Sequence, residues 1–106
     1  MAKVEIHKGA VWFICPGCGQ HKRIPFSPEA WAGQHEPGNR PLWTFNGDAD
    51  KPTLSPSILG QWTEGEARAP VVCHSFVRDG KIEFLSDCTH ALAGKIVDLP
   101  DLQETE

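Results

Sequence analysis

Four cysteines fall into two groups that could together bind one metal ion. Cys15 and Cys18 are separated by a proline and a glycine, whereas Cys73 and Cys88 follow much later in the chain. Paired thiolates on such a turn, joined by sulfur or imidazole ligands from a distant segment, form tetrahedral metal sites in small proteins. Zinc suits this ligand set best, because it accepts sulfur and nitrogen in a four-coordinate shell.

The ligand set is narrowed by a predicted β-hairpin. Two strand-like segments flank Asp79-Gly80, the dipeptide typical of a two-residue hairpin turn. Strand alternation then puts the side chain of Cys73 on the same face as Cys88 and that of His74 on the opposite face. The predicted metal ligands are therefore Cys15, Cys18, Cys73 and Cys88, with His74 and His90 as reserve ligands or as hydrogen-bond donors to a bound sulfur.

Three other uses of the cysteines are less favoured. Two disulfides would imply a secreted protein, but the first residues contain no apolar signal segment. A redox Cys-x-x-Cys is expected where a strand meets a helix, and residues 20–25 are poor helix formers. Simple buried thiols would explain the late pair but not the glycine-rich early turn.

Length and charge predict one small domain without a nucleic-acid partner. The 106 residues suffice for a single domain, which we expect at 1–100 with zinc as part of its stability, followed by an acidic tail at 101–106. The net charge of −4, without a run of basic residues, does not provide the positive surface that phosphate contacts need. No segment has the length of a membrane span, so we expect a soluble cytoplasmic protein.

The segments that must position these residues are mostly short strands. Residues 11–14 are an apolar run entering the cysteine turn, and residues 23–26 return from it. Two prolines interrupt residues 51–58, which we expect to form an extended edge, and residues 60–70 are expected to form an acidic loop. Short helices are predicted near residues 27–31 and 88–94. The fold class is therefore mainly β (small α+β), built from zinc-ribbon-like β-hairpins with one or two short helices.

Three segments carry a family resemblance. They are Trp-Thr-Phe-Asn-Gly at 43–47, Lys-Pro-Thr-Leu-Ser-Pro-Ser at 51–57 and Cys-His-Ser-Phe-Val-Arg-Asp-Gly-Lys-Ile at 73–82. Together they resemble a small family of unknown function from phages, prophages and bacteria, whose members have been labelled ammonia monooxygenases. The resemblance implies a zinc-binding β-rich protein from a mobile element, located in the host cytoplasm, with no established activity. Relatives often lack the segment 87–90, which raises His74 as a ligand. A thiolate cluster does not fit the oxygen chemistry of the label.

Three functions follow from these observations. We favour a zinc-stabilised interaction module of phage type that binds or modulates a host protein through Trp62 in the acidic loop. The first alternative is a zinc-dependent hydrolase or transferase that uses His74 and His90 with Asp87 or Ser55. It needs an open metal position, which four cysteine ligands would close. The second alternative is a nucleic-acid-binding zinc ribbon, which the charge disfavours. We assign no catalytic residues, and an enzyme is the less favoured class.

Overall fold

The computed structural model describes residues 2–33 and 40–102, which form two antiparallel β-sheets. The first sheet has the order β1-β2-β3 and the second has the order β4-β5-β6-β7-β8. The strands are β1 (Glu5–His7), β2 (Ala10–Ile14), β3 (His21–Pro25), β4 (Thr44–Phe45), β5 (Leu54–Glu64), β6 (Ala69–Arg78), β7 (Lys81–Phe84) and β8 (Ile96–Asp98). The prediction of a mainly β domain is therefore confirmed.

The hairpin between β6 and β7 has the predicted register. Asp79 and Gly80 have φ values of 52° and 79°. Positive φ at both central residues is what a type I′ turn requires, and this turn matches the twist of the two strands. Val77 lies opposite Ile82. The side chains of Cys73 and Val77 consequently face the core, while His74 lies on the more exposed face.

A second, longer hairpin joins β5 to β6, and the prediction of a loop over 60–70 is wrong for most of that range. Trp62 pairs with Val71 and Glu64 with Ala69, so only residues 65–68 form the turn. Trp and Val favour a pleated, half-buried surface, and their cross-strand contacts outweigh the cost of Gly60 within the strand. The extended segment with two prolines thus continues into an eleven-residue strand.

An irregularity in β5 lies between Leu54 and Ile58. Leu54 pairs with Val77 and Ile58 with Ser75, so β5 takes four steps where β6 takes two. Such bulges bend a strand and redirect its side chains. Ser57 lies within this bulge.

The core contains residues from both sheets. It is formed by Val4, Val11, Phe13, Ile24, Leu54, Ile58, Val77, Ile82, Phe84 and Leu99, together with Cys15, Cys73 and Cys88. Ten of these residues are ordinary apolar side chains, which supply the hydrophobic burial that holds the sheets together. Three of the four cysteines therefore lie in the interior rather than at the surface.

Helical structure in the described residues is limited to one 3₁₀ helix, Pro28–Trp31. The Ser27 hydroxyl caps it by accepting a hydrogen bond from the Glu29 N–H, 3.4 Å. The helix predicted near 88–94 does not form. Short-range bonds such as Ala93 N–H to His90 O close successive turns instead, and Gly94 has a φ of 78°.

The start and end of the described chain lie together. Leu102 N–H donates to Ala2 O at 2.8 Å, and Lys3 Nζ lies 3.3 Å from the Asp101 carboxylate. The first two residues of the predicted acidic tail thus contact the domain, and residues 103–106 lie outside the described residues. None of the described helices is long and apolar enough to cross a membrane.

Candidate active site and metal centre

Cys15 and Cys18 lie on the tight turn between β2 and β3. Cys15 N–H donates to Gln20 O at 3.0 Å, and Gly19 N–H donates to Cys15 O at 2.9 Å. Gly19 has a φ of 77°, a conformation that glycine adopts without steric cost. The Cys18 N–H points at Cys15 Sγ, 3.5 Å away. The turn therefore places the Cys18 N–H as a backbone donor to the sulfur of Cys15.

Cys73 brings a third sulfur to this turn from the buried face of β6. The Sγ atoms of Cys15, Cys18 and Cys73 all lie within 4.8 Å of one another, and those of Cys15 and Cys73 are 3.6 Å apart. The hydrogen bond from the Cys73 thiol lowers the pKa of Cys15 to about 5 and raises the pKa of Cys73. Three sulfurs at this spacing fit a soft metal ion such as zinc, which binds thiolates.

Cys88 and His90 lie near this cluster but outside the group of three sulfurs. Cys88 is buried in the same core cluster, and its Sγ accepts from His74 N–H at 3.2 Å. His90 packs so closely on Gly17 that a Cβ there would lie 2.4 Å from its ring. Its Nδ1 accepts from Leu92 N–H, 3.2 Å, and its buried Nε2 has no hydrogen-bond partner within the described chain.

The open face of β6 carries a different arrangement. Ser57 Oγ lies 3.0 Å from His74 Nε2, and His74 Nδ1 lies 3.1 Å from Asp87 Oδ2. A hydroxyl, an imidazole and a carboxylate joined in this order also occur in the triads of serine hydrolases, which are recognised by geometry rather than by sequence order. His74 therefore has both ring nitrogens bonded on the face opposite the sulfurs.

The loop after β7 holds Asp87 in place. Leu85 N–H donates to His74 O at 2.9 Å, and Thr89 N–H donates to Val72 O at 3.0 Å. Between these bonds, the Cys88 thiol donates to His74 O, 3.2 Å. Because bonds on both sides of Asp87 end on β6, its carboxylate is fixed relative to His74.

Ser57 is positioned by the bulge in β5. The indole Nε1 of Trp43 donates to Ser57 O at 3.2 Å, and this holds the backbone of the residue from the side of β4. Ser57 is half-buried. Its side chain lies on the same face as that of His74.

This arrangement can activate a hydroxyl. Asp87 accepts from Nδ1–H, so Nε2 of the neutral ring is free to accept the Ser57 proton. The His74 and Asp87 side chains are 24% and 55% exposed, which leaves the site open to a large substrate. The geometry suits nucleophilic attack by Ser57 with His74 as general base.

Only part of this site is predicted from the sequence. The metal-dependent alternative uses His74 and His90 with Asp87 or Ser55, and no catalytic residue is assigned. The structure instead places Ser57 against His74. The contact between Ser57 and His74 could have been predicted from the pairing of β5 with β6. That pairing is predicted only if the strand that contains Ser57 is continued through Gly60.

Trp62, the predicted partner anchor, lies on the sulfur side of the second sheet. Lys22 Nζ is 5.6 Å from the centre of its ring, and its Nε1 donates to Glu64 Oε2 at 2.9 Å. The side chain is half-buried and packs against the core. A role in binding a partner stays a prediction.

Comparison with known proteins gives one family. The family model described as "Bacterial ubiquitination-like system serine protease (BubE)" matches residues 1–85. No curated protein matches the chain. No solved structure matches it.

Proposed function

The chain belongs to the BubE family of bacterial ubiquitination-like system serine proteases, and from this premise we propose that it is itself a serine protease. The observation that carries the proposal is the hydrogen-bonded series Ser57, His74 and Asp87. Ser57 and His74 lie within the residues that the family model matches, and Asp87 lies just beyond them. We further propose that the chain acts in a bacterial ubiquitination-like system, as the family description says, and that its substrate is a protein.

Each residue of the series has a defined part in the reaction. Ser57 Oγ attacks the carbonyl carbon of the scissile bond, and His74 Nε2 takes the hydroxyl proton. Asp87 holds the ring in the correct tautomer and stabilises the imidazolium that forms. His74 then gives the proton to the leaving amine, which produces an acyl-enzyme on Ser57. A water molecule, deprotonated by His74, releases the acyl group.

The metal has a structural part in this proposal. Cys15, Cys18 and Cys73 would hold zinc, whose binding adds folding free energy and ties the β2–β3 turn to β6. We propose Cys88 as the fourth ligand, because His74 N–H already points at its sulfur. His90 Nε2 is less suitable, since Nδ1 accepts from Leu92 and the ring proton is therefore on Nε2.

A cleavage assay tests the proposed function. Wild-type protein, Ser57→Ala and Ser55→Ala would be incubated with a peptide library made by digesting a bacterial proteome, and new ends would be identified by mass spectrometry. Ser55 is the matched control, because it lies two residues away on the same strand and has no contact with His74 in the described structure. Cleavage by wild type and Ser55→Ala but not by Ser57→Ala supports the proposal. Equal cleavage by all three proteins, or by none, contradicts it.

A further inference from the structure

The edge of β5 beyond Ser57 has no partner strand among the described residues. β4 pairs only with Leu54 and Ser55, whereas β5 continues to Glu64. The opposite edge of β5 pairs with β6. The strand that carries the nucleophile is therefore an open edge for most of its length, which leaves backbone donors and acceptors available.

Hydrogen bonds on the far side of β6 show which groups of β5 point outward. Val72 O and His74 O accept from the loop after β7, so these two residues direct their backbone groups away from β5. In an antiparallel ladder, successive residues bond to opposite sides. Cys73 and Ser75 must then bond to β5, where they lie opposite Gly60 and Ile58. The intervening residues of β5, which direct N–H and C=O outward, are Leu59, Gln61 and Thr63.

One detail agrees with this parity and another shows where the open edge ends. Ser57 lies within the bulge, and its carbonyl already accepts from Trp43 Nε1, so the free outward groups begin at Leu59. Pro70, which cannot donate a backbone hydrogen bond, lies opposite Thr63 and so loses no bond to β5. Leu59 is 52% exposed and lies opposite His74. The open edge therefore ends two residues from Ser57.

We propose that the substrate binds as an extended peptide that adds a strand to the edge of β5, from Thr63 to Leu59, and so delivers its scissile carbonyl to Ser57. This inference rests on the proposed protease function and specifies how its substrate is recognised. Backbone hydrogen bonds give affinity for any extended segment, while alternate side chains of the peptide face the exposed Leu59 and provide selectivity. A folded protein substrate would have to present a flexible segment or terminus.

A proline substitution tests the backbone contacts. Gln61→Pro removes an outward N–H without removing a bond to β6, and proline is tolerated at strand edges. The control, Gln61→Ala, shortens the same side chain but keeps the N–H. With a quenched fluorescent decapeptide taken from the library cleavage profile, we expect kcat/KM of Gln61→Pro to be about tenfold below that of Gln61→Ala, as for the loss of one hydrogen bond. The melting temperature and the rate of fluorophosphonate labelling at Ser57 should match in the two variants. Equal kcat/KM would overturn the inference.

A second experiment uses the unaltered protein, so it does not depend on the proline variant folding. The same decapeptide is N-methylated at one position at a time. We expect sensitivity at every second position on one side of the scissile bond, because only alternate peptide N–H groups face β5. Uniform sensitivity, or none, would overturn the proposal.

A remaining occupant of the edge is a second copy of the chain. Sedimentation that gives a dimer for wild type and a monomer for Gln61→Pro would assign the edge to self-association and overturn the inference. If no Ser57-dependent cleavage occurs, the proposed function itself fails and this inference fails with it. If cleavage occurs without strand addition, only the inference fails.

Discussion

Two neighbouring residues of β6 serve opposite faces of the same sheet. Cys73 is 1% exposed and faces the sulfur cluster, whereas His74 faces the open side and contacts Ser57 and Asp87. The alternation of a β-strand is enough to separate the two sites by one peptide bond. The neighbouring position of Cys73 therefore does not imply that His74 binds the same metal ion.

The same pairing recurs in the loop after β7. Asp87 contacts His74, while the adjacent Cys88 bonds to the backbone N–H and C=O of His74. Two members of the catalytic series are thus each next to a cysteine. The cysteines on the buried face hold β6 and the loop after β7 together, and this positions His74 and Asp87 on the open face.

The largest effect should come from removing a sulfur of the buried cluster. Cys73→Ser removes one of the three clustered sulfurs, and because metal binding is coupled to folding we expect loss of zinc, loss of the cooperative thermal transition and loss of cleavage together. Elemental analysis and calorimetry measure the first two. Ser75→Ala is the control, since it alters the same buried face without touching the cluster. A folded, active Cys73→Ser protein would show that the sulfur cluster is not needed for folding or cleavage.

Substitution of a residue on the open face should lower kcat without changing zinc binding. His74→Ala takes away the proposed general base, and we expect kcat to fall by about 10⁶, the scale for removing the histidine of such a triad. Zinc content should stay at the wild-type value, because both ring nitrogens of His74 are bonded away from the sulfurs. His21→Ala, an exposed histidine of β3, is the control. Loss of zinc in His74→Ala would assign this residue to the metal instead.

Asp87→Asn should have a smaller effect. The amide can donate to Nδ1 and so hold His74 in the wrong tautomer, which in a buried triad lowers kcat by about 10⁴. Because the Asp87 side chain is 55% exposed and water can partly replace it, we expect kcat to fall by about a hundredfold. Glu83→Gln provides the control, since its carboxylate bonds to Arg78 rather than to His74. An Asp87→Asn enzyme as active as Glu83→Gln would reduce the site to a Ser57–His74 pair.

The smallest effect separates the two candidate fourth ligands. We expect Cys88→Ser to weaken zinc binding by about 10- to 100-fold, the scale for losing a residue that supports a ligand, because Cys15, Cys18 and Cys73 would still hold the ion. Competition with a chromogenic chelator measures this loss. His90→Gln should weaken zinc binding less, because glutamine keeps a side-chain donor near the cluster. The reverse order would identify His90 as the ligand and Cys88 as a support for His74.

Much of the buried side could be predicted from sequence. The Asp79-Gly80 turn determines the β6–β7 register, and the register determines that Cys73 points inward. The Cys15 and Cys18 turn is equally local, since glycine and the Cys-x-x-Cys spacing define it. These predictions succeed because each depends on a few consecutive residues.

The open side could not be predicted in the same way. Pro56 and Gly60 weaken the strand signal of β5, so the neighbour of β6 is missed, and the bulge then alters the register that brings Ser57 to His74. Ser57 also lacks the glycine-flanked motif that marks many serine nucleophiles. The two short helices were overestimated for a related reason, because capping residues at 88–94 stabilise isolated turns that lack the length to propagate.

Covalent modification of the unaltered protein with a fluorophosphonate tests the assignment of Ser57 as the nucleophile most directly. Peptide mass spectrometry should locate the phosphonyl group on Ser57, in protein that retains its zinc, and the modification should disappear in His74→Ala while Ser55 and Ser75 stay unmodified. A zinc-loaded, folded protein that is not modified at Ser57, or is modified equally well without His74, would contradict the assignment of the open face as a serine protease site.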